Sequence, residues 1–501
     1  MITFICAIVL LLAGYWLYGR LAEKVFRPDD RPTPAMEHPD GVDYVPMKTW
    51  RVFLIQLLNI AGTGPIFGPL MGAVFGPVVF LWIVFGSILG GAVHDYMSGM
   101  ISVRMNGASV SEIVGKYLGG AAKQIMRVFS VILLVLVGAV FTTSPAALIA
   151  RLTPEWMDTQ FWVVVILIYY LLATLLPIDK LIGKLYPLFG CVLLLMVVGI
   201  IGGLVAGGYT LPELVIADLH PDGLPVWPFM FVTVACGAVS GFHVTQSPMM
   251  ARCITTEKDG RKVFYGAMIA ESVIALVWAA AGVAFYETTG GLQQALTELG
   301  QSGTVYDISV SLLGVVGGAL AIIGVVVCPI SSGDTAFRSA RLTIADWFRI
   351  DQSNLGKRLA ITLPLLLAGA LLTQLNFDVI WRYFSWSNQT LAMITLWAAA
   401  MYLARHGEKW WHSLICALPA TFMSAVSCTY ILMAEEGLRL SQGISYPVGV
   451  AFAIACMALY LFKATRGGPG APAAPWVNGR SAGVNCRKSR NWLRERGWLA
   501  P

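Results

Sequence analysis

Charged residues are scarce in this chain of 501 residues, since Asp, Glu, Lys and Arg make up 12% of it while 57% is hydrophobic. Soluble domains carry about 25% charged residues, so the composition excludes an ordinary soluble protein. Long apolar runs, such as residues 161–176 and 359–372, approach the roughly 20 residues that cross a hydrocarbon core. The chain is therefore predicted to span a lipid bilayer several times.

Signatures of enzymes and of metal sites are also missing. No GxSxG, HExxH or Walker motif occurs, so neither an enzymatic activity nor a cofactor is expected. The nine cysteines form no CxxC pair, which predicts reduced packing residues without a metal site or a disulfide framework. The net charge of +6 is distributed over separate loops, which argues against a nucleic-acid partner and is typical of topology signals.

The apolar runs divide the chain into about thirteen candidate spans, one of which covers residues 306–330. Loops rich in Lys and Arg alternate with loops that are poor in them, such as 209–225 and 288–305. Basic loops stay in the cytoplasm, so the N-terminus is predicted outside and the C-terminus inside. A Gly/Ala/Pro-rich and then basic tail, residues 465–501, is predicted to be disordered.

Two spans are interrupted by glycine and proline at corresponding places. Without the first span and the last two, the transmembrane domain 1–464 divides into two units, about 51–208 and 226–402. One unit opens with NIAGTGPIFGP and the other with ACGAVSGFHVTQSPMMARC. Paired breaks in two inverted halves indicate a transporter site. The predicted fold is an all-α, LeuT-like 5+5 inverted repeat with one extra N-terminal and two extra C-terminal helices.

The two breaks are the predicted substrate site. A break inside the membrane frees backbone N–H and C=O groups, which is tolerated only where protein or a wet cavity satisfies them. For the glycines and prolines, the alternative to a substrate site is a proline kink with close packing of small residues. For the polar side chains, the alternative is hydrogen bonding between helices. The candidate substrate-binding residues are Ala61, Gly62, Thr63, Gly64, Ser240, Gly241, His243, Gln246, Ser247 and Asn388.

Ionisable side chains within apolar segments are candidates for ion coupling or gating, because an unpaired charge there costs several kcal/mol. Hydroxyls beside Asp334 would suit a cation, whereas Asp334 and Arg338 at i, i+4 would equally make a helix ion pair. For Lys184, the alternative is a basic residue that lies at the membrane surface and serves only as a topology signal. The candidates are His94, Asp95, Lys184, Glu271, Ser331, Ser332 and Asp334.

Five motifs together resemble the carbon starvation protein A (CstA) family: IAGTGPIFGP, GSILGGAVHDYMSGMISVRMNG, ACGAVSGFHVTQSP, SSGDTAFRSARL and RYFSWSNQTLA. The resemblance covers about residues 40–400. It implies a secondary transporter of the amino acid–polyamine–organocation superfamily, in a bacterial inner (plasma) membrane, linked to uptake of peptides or pyruvate under carbon starvation. The chain departs from some longer members at Gln56 and Asn59, where they have histidines, and at His94, where they have glutamine.

The leading functional prediction is an importer of a small carbon source that works by proton-coupled alternating access. One alternative is a sodium-coupled carrier that uses carbonyls near Gly62 and the hydroxyls of Ser331 and Ser332. A second alternative is a membrane sensor of nutrients that binds without transporting. The partners expected are a small-molecule substrate, protons or sodium, and the bilayer, while the substrate and the oligomeric state stay open.

Overall fold

The structure is a computed structural model that describes residues 1–40, 44–174, 178–350, 352 and 354–466, with the side chains of all of these except 178–187, 321–323 and 466. Every regular element in these ranges is a helix, so the predicted all-α class is confirmed. Helices are favoured here because an apolar segment in lipid must satisfy its backbone hydrogen bonds internally.

The α-helices are, in chain order, α1 Ile2–Phe26, α2 Pro34–Glu37, α3 Thr49–Ala61, α4 Gly64–Gly72, α5 Val79–Leu81, α6 Ala92–Arg104, α7 Val110–Leu118, α8 Gly120–Leu152, α9 Thr159–Ala173, α10 Ile178–Ala206, α11 Val226–Thr233, α12 Ala235–Ala238, α13 Gly241–Ala251, α14 Gly266–Tyr286, α15 Thr289–Ile322, α16 Cys328–Phe348, α17 Leu355–Leu372, α18 Phe377–His406, α19 Leu414–Met433 and α20 Gln442–Arg466. Short 3₁₀ and wider π segments accompany them at Ala73–Phe75, Trp82–Gly91, Glu257–Asp259, Arg261–Tyr265, Ile323–Val327 and Trp410–Ser413.

Nine helices in the described ranges are long and apolar enough to cross a membrane, or ten if the bent pair Thr49–Ala61 and Gly64–Phe75 counts as one span. By length and apolarity alone, the described ranges therefore contain fewer membrane spans than the thirteen predicted. The segment α9 has only 15 residues, and the helix pattern of 226–251 is divided into three pieces. The 30-residue α18 is not among the nine, and it buries the polar side chains of Asn388 and Gln389.

The predicted span 306–330 has the wrong bounds. The chain leaves helical geometry at Gly314 (φ 59°, ψ −143°), and the helix beyond it continues through Ile323–Val327 to Phe348. The turn that contains Ser331 and Ser332 consequently lies inside this helix and not at its end. The apolar pattern stops early because this polar turn belongs to α16, which packs against α3 and α8 inside the bundle.

The bundle has an inner and an outer set of helices. α6 and α14 are buried along most of their length, with Tyr96 and Trp278 fully enclosed. α1 and α20 instead expose large apolar side chains, such as Leu17 and Ile454. Such surfaces suit lipid, whereas the inner set surrounds the two helix breaks.

A buried carboxylate joins three segments at the end of α6. Glu257, which is fully buried, accepts from Nε (3.1 Å) and Nη2 (3.0 Å) of Arg104 and from the backbone N–H of Asp29 (3.0 Å). Arg104 also donates to the carbonyls of Phe26 (3.4 Å) and Arg27 (2.6 Å) at the end of α1. These contacts, the Glu257 clasp, connect α1 and α6 to the segment between α13 and α14.

The predicted disordered tail lies outside the described residues except for its first two, Thr465 and Arg466, in which α20 continues. The division of the chain into a domain 1–464 and this tail stays a prediction.

Candidate functional site

The first break lies within AGTGP, as predicted. α3 ends at Ala61 and α4 begins at Gly64. Gly62 has φ 31° and ψ −140°, outside the helical region and on the side of φ that favours glycine. A Cβ at Gly62 would lie 2.4 Å from Cζ of Phe141 in α8, so the position has no room for a side chain. The bare backbone of the break therefore faces Phe141 directly.

The second break is shorter than predicted. α12 ends at Ala238 and α13 begins at Gly241, and between them only Val239 and Ser240 are extended. His243, which is one of the residues predicted for the site at the breaks, occupies the first turn of α13. Its side chain is consequently held in helical register with those that follow it.

The two breaks are in contact with each other. A Cβ placed on Gly64 would lie 2.4 Å from Cβ of Cys236, so α4 and α12 touch at this point. Phe141, whose ring stands against Gly62, also packs edge-to-face on Phe242 of α13, with 6.0 Å between the ring centroids. The residues predicted for the substrate site thus lie in a single region, in which the Phe141 ring contacts both Gly62 and Phe242.

Asn388 of α18 holds the beginning of α13. Its Oδ1 accepts from the backbone N–H of Phe242 (2.5 Å) and lies 3.3 Å from Oγ of Ser240, and its Nδ2 lies 3.2 Å from Sγ of Cys236. The first N–H groups of a helix have no intrahelical partner, so an acceptor here acts as a cap. This helix end, which belongs to the predicted substrate site, is therefore bonded to a protein side chain. A substrate contact of Asn388 or Ser240 stays a prediction.

Four ionisable side chains from three helices form a continuous buried chain, the buried tetrad. Asp95 of α6 accepts at Oδ1 from Nδ1 of His94 and at Oδ2 from Nδ1 of His243, each at 2.8 Å. Nε2 of His243 lies 3.2 Å from Oε2 of Glu271 in α14. All four side chains are 0% exposed. Three of these residues are predicted for ion coupling or gating, and His243 is predicted for substrate binding. The structure therefore places a predicted substrate residue in contact with predicted coupling residues.

Protonation of His243 changes how α13 is attached to its neighbours. An imidazolium donates hydrogen bonds from both nitrogens, whereas neutral imidazole donates from only one. The charged form therefore bridges Asp95 and Glu271, and the neutral form bonds only one of them as a donor. Buried carboxylates without a partner cost several kcal/mol, so the two forms differ in how firmly α13 is held. In the described ranges no group of three or more His, Cys, Asp or Glu is arranged to hold a metal ion.

The predicted cation candidates on α16 have partners other than the buried tetrad. Oγ of Ser332 donates to the carbonyl of Leu58 in the last turn of α3 (3.1 Å), and Ser331 donates to a carbonyl of its own helix. Asp334 lies 3.5 Å from Nη2 of Arg338, so the alternative of a helix ion pair is observed. Leu58 is among the last four residues of α3, whose carbonyls lack intrahelical partners, and Ser332 satisfies this one.

The remaining predicted residues take different positions. Gln246 is fully buried in α13, and Oγ of Ser247 donates to the carbonyl of His243 (3.0 Å) and lies 3.5 Å from Oγ of Ser98 in α6. Lys184 belongs to α10, but its side chain lies outside the described residues. Its role in coupling stays a prediction.

Sequence reasoning did not assign Phe141, Gln56 or Asn59 to the site. Phe141 lies in a long apolar run, and nothing in the sequence distinguishes it from neighbours that face lipid. Gln56 and Asn59 did carry a signal, since two amides in an apolar segment directly before a break are unusual. Both are buried, and leaving such a group unsatisfied costs about 1–3 kcal/mol.

Comparisons of the sequence identify related proteins. The family model described as "Carbon starvation protein CstA" matches residues 1–155 and 150–289. An "Uncharacterized membrane protein" of Haemophilus influenzae is 43% identical over 350 residues, covering 59% of this chain and 94% of the relative. "Peptide transporter CstA" of Bacillus subtilis is 26% identical over 528 residues, covering 84% of this chain and 88% of the relative.

"Pyruvate/proton symporter BtsT" of Escherichia coli is 30% identical over 344 residues, which are 54% of this chain and 47% of the symporter, so the match spans about half its length. Among solved structures, MhsT in complex with L-phenylalanine superposes with a TM-score of 0.52 at 14% identity, covering 82% of this chain and 98% of MhsT. The likeness to MhsT, a transporter of the LeuT fold, concerns the fold alone. The named relatives are transporters and not enzymes.

Proposed function

The chain belongs to the carbon starvation protein CstA family, and we propose that it imports a small carbon source, pyruvate or a peptide, by proton-coupled alternating access. Relatives named as a peptide transporter and as a pyruvate/proton symporter support this, and the link to carbon starvation comes from the family. The structural observation that carries the proposal is His243, held between two buried carboxylates from different helices.

The proposed architecture has thirteen spans in a bacterial inner membrane, with the N-terminus outside. One five-span unit runs from α3 to α10 and the other from α11 to α18, with α1 before them and α19 and α20 after them. The broken helices open the two units, as expected for an inverted repeat. The proposed spans that do not pass the test of length and apolarity are the short α9, the polar α18 and the two that are divided by a break.

The proposed coupling site is the buried tetrad. A proton on His243 lets the imidazolium hold Asp95 and Glu271 together, which fixes α13 to α6 and α14. Loss of that proton leaves His243 able to donate to only one of the two carboxylates, and rearrangement of α13 relieves the resulting desolvation penalty. Since α13 begins at the second break, a proton taken up from one side of the membrane changes the substrate site itself.

The proposed substrate position is the region between the two breaks. Substrate that lies against residues 61–64 displaces the Phe141 ring from Gly62, because the two are in contact in the structure. The same displacement removes the contact of Phe141 with Phe242 in α13. Substrate and proton therefore act on the same half-helix, one through Phe141 and the other through His243.

A sodium-coupled mechanism is the second candidate, and one contact favours it. Ser332 reaches the carbonyl of Leu58, which brings a hydroxyl of α16 to a carbonyl of the first broken helix. A cation would use such oxygens as ligands. In the structure the hydroxyl satisfies that carbonyl directly, and the charged groups of the buried tetrad provide a complete alternative for protons.

Uptake by the purified full chain in proteoliposomes tests the function. Labelled pyruvate and labelled dialanine are offered with a proton gradient or a sodium gradient imposed separately. We expect accumulation of one solute with the proton gradient alone, and a loss of at least tenfold in Glu271→Gln, which keeps the shape of the side chain. Uptake driven only by sodium would replace the proton mechanism. Uptake of neither solute under any gradient would contradict the importer and favour a sensor.

A further inference from the structure

The helix before the first break carries two buried amides without partners. Gln56 and Asn59 are 0% and 1% exposed, and both polar atoms of each lack a hydrogen-bond partner among the described residues. The hydroxyl of Thr63, inside the break, is also fully buried and unpaired there. Native proteins pair nearly all of their buried polar atoms, so five unpaired atoms within eight residues point to a polar group that binds them.

The two amides lie on the side of α3 that is opposite to α10. Phe53 lies beside Gly266 of α14, and Leu54 lies beside Gly190 of α10. At about 100° per residue, Gln56 and Asn59 lie roughly 60° from each other, and their common direction is about 170° from that of Leu54. α3 also packs against α13, the helix that begins at the second break. The amides therefore point away from α10.

α13 contributes a further unpaired acceptor. Gln246 is fully buried, and its Oε1 has no hydrogen-bond partner in the described part of the chain. With Gln56 and Asn59 this makes three amide oxygens that need donors, beside two NH₂ groups and a hydroxyl that can donate. For Gln56 and Asn59 the inventory does not depend on amide orientation, because oxygen and nitrogen are both unpaired.

This inventory discriminates between substrate chemistries. A 2-oxo acid such as pyruvate has only acceptors, so it satisfies the NH₂ groups and leaves the amide oxygens buried without a donor. A solute with N–H groups satisfies both kinds of atom. A buried polar group that is left unpaired by the wrong substrate is what makes such sites selective.

We propose that Gln56, Asn59 and Thr63 form a substrate-binding subsite that selects solutes carrying N–H donors, such as an amide or an ammonium group, over acceptor-only carboxylates. This subsite rests on the proposed import function, and it names the class of substrate. Its amides are uncharged, so it recognises the pattern of donors and acceptors and not net charge.

The test compares the shape-matched variants Gln56→Met and Asn59→Leu with wild type, using the full chain in proteoliposomes. Labelled dialanine is the donor-bearing probe and labelled pyruvate is the acceptor-only probe, with a proton gradient imposed. We expect wild type to prefer dialanine, and each variant to raise the KM for dialanine at least tenfold. The melting temperature should stay the same or rise, because each variant removes unpaired buried atoms. Gln294→Met, an exposed position on α15, is the control and should leave the KM unchanged.

The outcomes separate the subsite from the import function. Preferential uptake of pyruvate, or an unchanged KM for dialanine in both variants, would overturn the subsite while the importer stands. If neither solute enters the vesicles, the importer fails, and the subsite is decided by binding of dialanine to the detergent-solubilised protein. A thermal shift with dialanine that disappears in both variants supports the subsite. The absence of any shift in wild type overturns it, since the polar atoms then serve only ordered water.

Discussion

The two breaks solve the same backbone problem in opposite ways. At the first, Gly62 has no side chain, the neighbouring Gln56 and Asn59 make no hydrogen bond in the described structure, and no charged side chain is bonded to them. At the second, the beginning of α13 is bonded to side chains of other helices. Asn388 caps the helix, and His243 is bound by carboxylates of two other helices.

This difference suggests a division of labour between the halves of the proposed inverted repeat. A break whose polar groups are unsatisfied by protein is suited to bind a substrate that comes and goes. A break that is attached through ionisable groups is suited to respond to a proton, because its attachments depend on charge. The following predictions test this contrast, beginning with the largest expected effect.

His243→Ala should have the largest effect, because it leaves Asp95 and Glu271 buried without a shared cation. Breaking such buried pairs costs about 3–5 kcal/mol, so we expect a large fall in melting temperature and a loss of proton-driven uptake of roughly 100-fold. His94→Ala is the matched comparison, since His94 contacts Asp95 from outside the second break and should cost less. Uptake within twofold of wild type in His243→Ala would contradict the role of the second break in coupling.

Gly62→Ala tests the contrasting property of the first break, which is that it requires a residue without a side chain. The new Cβ would lie 2.4 Å from Phe141, at φ 31°, and such crowding and backbone strain cost roughly 2–4 kcal/mol together. Thermal unfolding in detergent measures the loss. Gly202→Ala in α10 is the control, because nothing lies within 4 Å of its Cβ position. Equal melting temperatures for the two variants would mean that the first break does not depend on bare backbone.

Asn388→Ala should have a smaller effect, about 1–2 kcal/mol, which is the usual range for loss of a helix cap. Since Asn388 stabilises α13 in the structure, we expect turnover to fall several-fold while the KM changes less than twofold. Asn354→Ala, which removes the cap of α17, should lower stability without changing transport. A tenfold rise in KM without loss of stability would instead make Asn388 a substrate ligand.

Ser332→Ala should have the smallest effect. It removes the donor to the Leu58 carbonyl, and one hydrogen bond contributes about 1 kcal/mol. Proton-driven uptake should persist, with no dependence on sodium in the variant or in wild type, as measured by uptake in sodium-free and sodium-containing buffer. Sodium-stimulated uptake that this variant abolishes would make the first break a cation site.

Sequence patterns predicted features that depend on local chemistry. Gly62 and its neighbouring prolines place the first break to within a residue or two, because these residue types interrupt a helix wherever they occur. Asp95 and Glu271 are each conspicuous as carboxylates in apolar segments. Their common attachment to His243 could not be predicted, because Asp95 and His243 are separated by 148 positions and meet only through helix packing.

Other features depend on which side of a helix faces protein. The turn with Ser331 was predicted at the end of a span because hydropathy assumes lipid on every side, whereas α16 packs against α3 and α8. Phe141 is one apolar residue among many until Gly62 is placed beside it. Likewise, the lack of hydrogen-bond partners for the Gln56 amide is visible only when all of its neighbours in the structure are known.

The Glu257 clasp has a consequence for leakage. In the proposed orientation it lies on the cytoplasmic side, so an inward opening that separates α6 from the segment before α14 must break it. Because these buried hydrogen bonds must be given up, the clasp disfavours the opened form. An empty carrier that seldom opens inward dissipates little of the ion gradient that it is proposed to use, so the clasp helps to conserve the cell's stored energy between transport cycles.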